Sequence, residues 1–325
     1  MSAPRIMVVG SYATGLTMKV KRLPSVGETV LASGYRVDYG GKGSNQAVGC
    51  ARLGVEVVFL ARIGNDTFGE MALRLYREEG IDIAFVQQSN EHPTGVGFIL
   101  VEAGTGNNSI ALDPGANELL SAADVAQCDP ALKTTAAVLT QLEIPVAAAE
   151  AALSHGRANG ATTILNPAPV RPLPASVLQL VDVLTPNQTE AKVLTGRSPN
   201  ARTEPEEVAR DLIRAGVRQV VMTLGDKGAL IGTASSFKHV PAMQLSAVDT
   251  TGAGDAFNAG LATALAYGES LEPAVEFAMI TGGLAITKEG VIPSLPRREE
   301  VAQFYQQRGL KRPDWLISLD QTKRA

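Results

Sequence analysis

The chain has 325 residues, 45% hydrophobic and 19% charged, with a formal net charge of −4, a pI near 5.6 and a mean hydropathy of +0.07. That balance excludes the basic footprint of a nucleic-acid binder, and 5% aromatic content argues against base-stacking platforms. No run approaches the ~18 apolar residues of a membrane helix, and the apolar run at residues 6–9 is too short for a secretory signal, so a cytoplasmic protein with neither nucleic-acid nor membrane partners is expected.

Taken in order, short β-rich runs alternate with longer helical patterns. Residues 5–9 read as a strand, 42–53 as a helix stopped by Gly54, 57–61 as a strand and 68–79 as a helix ending at Gly80. Further strands are expected at 136–139, 163–165, 181–184, 219–223 and 229–232, with helices at 146–159, 189–195 and 205–215 between them. Such alternation predicts a parallel-rich sheet covered on both faces. Residues 17–39 and 94–111 break the rhythm. They read as antiparallel excursions, the second as strands 96–101 and 109–112 around the polar loop AGTGNN, and serve either as a small β-lid or as surface hairpins. Residues 311–325 form a tail with Trp315. Cys50 and Cys128 share no metal-ligand spacing and read as buried thiols.

Two familiar phosphate motifs are missing. There is no GxxxxGK[ST], and no GxGxxG follows a strand. Other glycine turns take their place. In DTTGAGDAFNAG (residues 249–260) a loop over 249–254 runs into a helix from Asp255, with Phe257, Leu261 and Leu265 on one side. A helix start carries unpaired N–H groups and the positive end of the dipole. Gly252, Ala253 and Gly254 thus make a plausible anion hole beside Asp255; taken alone, Asp255 also fits an ordinary N-terminal helix acid. GGKGSNQA (40–47) opens a second helix with Lys42, Asn45 and Gln46 as polar donors, or is a plain helix joint. TPNQTEAK (185–192) sets Asn187 and Glu190 three apart, suited to a water-rich Mg²⁺ site or to a helix cap. TLGDKGA (223–229) holds a nucleotide or simply joins two strands.

Together these motifs resemble the ribokinase-like carbohydrate kinases (the phosphofructokinase-B family), with the ribokinases nearest among them. PGAN (114–117), QLE (141–143) and NPAP (166–169) fit the same order, and the resemblance runs from about residue 5 to 304. It implies a three-layer α/β sandwich with a parallel-rich central sheet, a body spanning residues 1–310, lid segments near 13–40 and 94–113, and often a homodimer formed through the lids. By position, Asp255 would be the general base, and the backbone at Gly252, Ala253 and Gly254 the anion hole. Gly41, Lys42, Asn45 and Glu143 would hold the sugar. Asn187 and Glu190 would organise Mg²⁺ and the ATP phosphates through water, while Thr223, Gly225 and Gly228 would line the nucleotide. A monovalent cation, usually K⁺, would sit among Asp249, Thr251, Ala285, Lys288, Gly290 and Ser294.

One stretch departs from the pattern. Ribokinases carry Asn and Asp in a stretch like GSINAD, and both bind sugar hydroxyls. Here the stretch is GSYATG, and Ala13 and Gly15 stand at those places. The expected reaction is therefore ATP-dependent phosphorylation of a primary hydroxyl on a ribose-like or otherwise altered sugar or polyol. A nucleoside kinase of the same fold and a non-catalytic sugar-binding protein are the alternatives.

Overall fold

The computed structural model describes residues 3–104 and 107–318. Strands β1 (Arg5–Val9), β2 (Ala13–Val20), β3 (Ala32–Gly40), β4 (Glu56–Gly64), β5 (Asp82–Ser89), β6 (Gly95–Glu102) and β7 (Asn108–Asp113) occupy the first part. β8 (Thr135–Thr140), β9 (Thr162–Leu165), β10 (Val183–Leu184), β11 (Gln219–Thr223), β12 (Ala229–Gly232) and β13 (Phe237–Val240) follow. The helices are α1 (Lys42–Arg52), α2 (Thr67–Glu78), the short α3 (Ala122–Ala126) and α4 (Asp129–Leu132), α5 (Val146–Ala158), the short α6 (Ala175–Leu178), α7 (Gln188–Leu194) and α8 (Pro205–Arg214). α9 (Ala253–Ala266), α10 (Leu271–Ala285), α11 (Val291–Ser294), α12 (Arg298–Gln307) and α13 (Asp314–Ser318) complete the chain.

Nine strands form one sheet in the order β13-β12-β11-β10-β9-β8-β1-β4-β5, parallel except where β12 pairs with β11 and β13. Its inner strands are apolar on both faces, as a doubly covered parallel sheet requires. In β1, Ile6 and Val8 join a core with Phe59, Ala259 of α9 and Phe277 of α10. Met7 and Val9 face the other way, into a core with Leu60, Ala152 of α5 and Leu212 of α8. The sheet is thus the middle layer of three. The strand order reverses between β1 and β8, which places a crevice at their carboxyl ends.

β3-β2-β6-β7 form a separate four-stranded sheet from the two excursions, each an antiparallel pair as expected, but joined to one another by a parallel β2–β6 pairing. Several expectations needed adjustment. β5 and β13 were not foreseen. The strand expected over 181–184 is shorter, Val183–Leu184, with the Val181 N–H turned back to Leu178 O in the preceding turn. α9 begins at Ala253 rather than Asp255, since Gly252 adopts a left-handed φ of 81° and caps the helix itself. The tail contributes α13: Trp315 stacks on Tyr267 with centroids 4.3 Å apart and donates Nε1–H to Glu269 at 2.9 Å. Residues 319–325 of the tail, and Thr105 and Gly106 of the AGTGNN loop, lie outside the described residues. Among the described residues no helix is long and apolar enough to cross a membrane.

Candidate active site

The site is assembled where the parallel strands end. Ser11 and Tyr12 follow β1, Gln141 and Glu143 follow β8, Asn166 follows β9, and Thr185 and Asn187 follow β10. Two helix starts point into this rim. α1 begins behind Gly41, whose φ is 86° and whose missing Cβ would fall 2.6 Å from Tyr12 Cα, so only glycine lets the helix approach the β1–β2 turn. α9 begins behind Gly252, where a Cβ would lie 2.8 Å from Val291 Cγ1.

Asp255 occupies the first turn of α9 and is 6% exposed. Both carboxylate oxygens are held by α1: Asn45 Nδ2 donates to Oδ2 at 2.8 Å and Gln46 Nε2 to Oδ1 at 2.9 Å. Burial raises its pKa above the ordinary 3.8, with nearby Lys42 and the two amides pulling it back down. A chain of bonds extends from this pair. Gln46 Nε2 also donates to Asn166 Oδ1 (3.2 Å), Asn166 Nδ2 to Thr185 O (3.1 Å), Thr185 Oγ1 to Asn258 Oδ1 (2.6 Å), and Asn258 Nδ2 to Gly254 O (2.8 Å). The network ties the carboxylate and the helix start to the ends of β9 and β10. Asn166, Thr185 and Asn258 were not expected as site residues, and Gln46 was expected as a donor to a ligand rather than to Asp255. The polar runs NQA, NPAP, TPN and FNA carry these four, but spacing alone does not reveal that they close one network.

Among the described residues the N–H groups of Gly252, Gly254 and Asp255 have no protein partner, whereas the Ala253 N–H turns back to Thr250 O at a long 3.3 Å. The helix start therefore offers free donors, with Ala253 the weakest of the expected three. Lys42 stands nearby. Burial lowers its pKa, but the carboxylates of Asp255, Glu143 and Glu190 outweigh that and hold the ammonium above its ordinary value. Glu143 Oε2 accepts from Ser11 Oγ at 2.6 Å and from the Lys42 N–H at 2.8 Å, bridging the ends of β1 and β8 at the switch point. Asn45 Oδ1 is buried without a partner and can accept from a ligand hydroxyl.

A cavity of about 380 Å³ runs from the β11–β12 turn to the α9 start. Thr223, Gly225 and Gly228 line one end and Ala253 and Gly254 the other, with Met243, Phe257 and Met279 between. TLGDKGA joins the antiparallel pair β11–β12, and four of its residues border the slot. The slot's apolar wall went unforeseen. The signal available was Gly282–Gly283 inside α10, since helix-interior glycines carry a cost of about 1 kcal/mol each. A Cβ on Gly282 would press on Ala253 O, and one on Gly283 on Leu245 Cδ1, each at 3.3 Å. A second cavity, about 560 Å³, lies between α10 and residues 310–314 and holds none of the motif residues.

Asn187 and Glu190 form a reciprocal cap on α7: Asn187 N–H donates to Glu190 Oε2 (2.8 Å) and Glu190 N–H to Asn187 Oδ1 (2.9 Å). One oxygen of Glu190 stays free. Burial raises its pKa, offset by the Asn187 N–H and the Lys42 charge. Asn187 bridges in a parallel pairing to Thr223, which lines the slot. A single available carboxylate oxygen suits Mg²⁺ held mostly by water. At the expected cation site, Asp249 accepts from Thr251 N–H (2.9 Å) and Gly290 N–H (3.1 Å). Burial works against its charge, yet these N–H groups and Arg36 hold its pKa low. Lys288 extends its ammonium to Glu300 and gives its N–H to Ala285 O, and Ser294 Oγ donates to Val291 O. The structure joins Asp249, Thr251 and Gly290 directly, whereas the described bonds of Ala285, Lys288 and Ser294 go to other partners. Ala13 and Gly15 lie on β2, opposite Gly40 and Asp38 of β3.

The family model described as pfkB family carbohydrate kinase matches residues 3–298. The chain is 36% identical to the ribokinase of Haemophilus influenzae over 299 residues, 92% of this chain and 97% of that one. It is 34% identical to the deoxyribokinase of Salmonella typhi over 300 residues, 92% and 98% of the two chains. The structure of Arabidopsis thaliana ribokinase complexed with ribose and ATP superposes with a TM-score of 0.85 at 31% identity, covering 93% of this chain and 98% of that one. The chain belongs to the pfkB family of carbohydrate kinases and is an ATP-dependent carbohydrate kinase.

Proposed function

We propose that the enzyme transfers the γ-phosphoryl group of ATP to a primary hydroxyl of a ribose-like sugar or polyol, with Asp255 as the general base. The observation that carries this reading is the buried Asp255 carboxylate, held by Asn45 and Gln46 beside the unpaired N–H groups of Gly252 and Gly254. Phosphoryl transfer has a loose transition state whose catalysis is positioning and charge stabilisation. ATP lies in the slot between the β11–β12 turn and α9, its terminal phosphate at the helix start. The acceptor hydroxyl meets Asp255 there, and its proton passes to the carboxylate as the new O–P bond forms and the bond to ADP breaks. The free amides take up charge on the transferring group. Lys42, among three carboxylates, faces the same region and steadies the phosphate.

Mg²⁺ would be held through water by Glu190, aided by Asn187, and would supply charge neutralisation to the ATP phosphates. Asp249, beside Gly290, would hold K⁺, whose charge would stiffen the loop that carries Gly252. The sugar lies under the lid against Gly41, Asn45 and Glu143. Across the other face of the lid, Val37, Leu16 and Phe98 form one apolar row. Phe98 is 52% exposed, which supports a homodimer joined lid to lid.

Ala13 and Gly15 carry no hydroxyl acceptor, so the substrate differs from plain D-ribose in what faces β2. The test is acceptor-dependent ATP consumption across pentoses, tetroses, polyols and nucleosides. Turnover of a sugar or polyol supports the reading; turnover confined to nucleosides replaces the sugar, and ATP consumption with none removes the proposed reaction.

A further inference from the structure

Gly15 and Gly97 are register neighbours on β2 and β6, and nothing inside the chain requires either to be glycine. Neither has a positive φ. A Cβ on Gly15 would find its nearest atoms, Asp38 O and Ile99 Cδ1, at 3.7 Å, and one on Gly97 would meet only Leu112 Cδ1 at 3.8 Å. Both are ordinary contacts with room to spare. A glycine within a strand weakens it and contributes no packing; it is favoured where a ligand or another backbone approaches closely.

The face these glycines open onto follows from the register. Asp38, Gly15 and Gly97 form one cross-sheet row, and Arg36, Thr17 and Ile99 form the row two residues along, on the same side. Arg36 reaches Glu289 at 2.9 Å, next to Gly290, whose N–H holds Asp249. This side of the lid therefore looks toward the loop that opens α9 and carries Asp255. The row Val37, Leu16 and Phe98 lies on the opposite side.

We infer that Gly15 and Gly97 form a side-chain-free window in the lid that seats the aglycone of a sugar glycoside, an aliphatic group or flat ring. Ile99 and Leu112 are its apolar wall and Asp38 stands at its edge. A free hydroxyl seated between Gly97 and Leu112, away from the Asp38 carboxylate, would face aliphatic carbon and bare strand and lose its water without gaining a side-chain partner. A carbon-bearing substituent instead fills the space that two absent side chains leave and covers Leu112, now 50% exposed. The inference rests on the kinase reading for the identity of the neighbouring site.

The experiment compares kcat/KM for D-ribose, methyl β-D-ribofuranoside and uridine in the parent and in Gly97→Val and Gly97→Ala, with thermal melting as a folding control. The parent is expected to favour at least one glycoside over D-ribose by roughly tenfold or more, the scale of a filled apolar subsite. Gly97→Val should lower the glycoside-to-ribose ratio by about tenfold or more, chiefly through KM, and Gly97→Ala by less. Preference of the parent for D-ribose, or equal losses for both acceptors in both variants, overturns the window. If no acceptor supports ATP consumption, the kinase reading fails, and the window is read by calorimetry of glycoside binding. Weaker binding by Gly97→Val then supports it, and unchanged binding overturns it.

Discussion

Asn45 donates its side-chain amide to Oδ2 of Asp255 at 2.8 Å, joining the first turns of α1 and α9 across 210 positions of sequence. The same carboxylate takes Gln46 on its other oxygen and senses the Lys42 ammonium. Three groups therefore favour its charged form against burial, and each can be removed in turn.

The first consequence is a pH dependence. A base must be ionised, and burial sets the Asp255 pKa above 3.8, so the acidic limb of kcat/KM lies above the ordinary carboxylate range. Lys42→Met or Asn45→Leu removes a group that stabilises the carboxylate and moves that limb to higher pH. A pH–rate profile of each variant checks the direction; a limb that stays in place separates the titration from Asp255.

The second concerns stability. The folded pKa of Asp255 lies above its unfolded value, so its contribution is fully present below the unfolded pKa and is lost as pH rises through the folded one. At neutral pH the ionised group is a net liability to the fold. Asp255→Asn removes the charge, and Asn45, whose Oδ1 has no partner, can turn to accept from the new amide. The melting temperature of Asp255→Asn at pH 7 is expected to equal or exceed that of the parent. A clear loss in Tm contradicts this.

The α9 cap is the third. Gly252→Ala places an L residue at φ 81° and drives its Cβ to 2.8 Å from Val291 Cγ1. The left-handed penalty alone is about 1–2 kcal/mol, and the shifted N–H groups leave the phosphate. Thermal melting should show the stability loss, and kcat should fall by roughly 10²–10³, the scale of one missing anion-hole donor.

The capping pair on α7 separates structure from catalysis. Glu190→Ala removes half of the reciprocal cap, worth about 1 kcal/mol. Glu190→Gln keeps a side chain able to accept from Asn187 and removes only the charge. If Glu190 holds Mg²⁺ through water, Glu190→Gln keeps most of the stability and needs more Mg²⁺ for half-maximal rate. An unchanged Mg²⁺ requirement confines the residue to the cap.

Much of this arrangement is legible in the sequence because glycine turns and strand–helix alternation are local signals. The helix behind GGKG and the helix around GAGD follow from their caps and apolar spacing. The start of α9 was placed two residues late because a left-handed Gly252 caps without a side chain, and the sequence marks no cap there. β5 and β13 were missed because edge strands need little burial: in β13 only Val240 is buried. The Gln46–Asn166–Thr185–Asn258 chain was out of reach, since its members come from four separate elements and meet only after folding. The slot's apolar wall depends on the loop after β13 packing on α10, again a tertiary event.

The central claim is that the Asp255 carboxylate takes the acceptor's proton. The direct measurement is acceptor-dependent ATP turnover by Asp255→Asn beside ATP affinity by calorimetry. The account predicts turnover reduced by about 10²–10⁴-fold with ATP affinity essentially unchanged; turnover within a few-fold of the parent contradicts it.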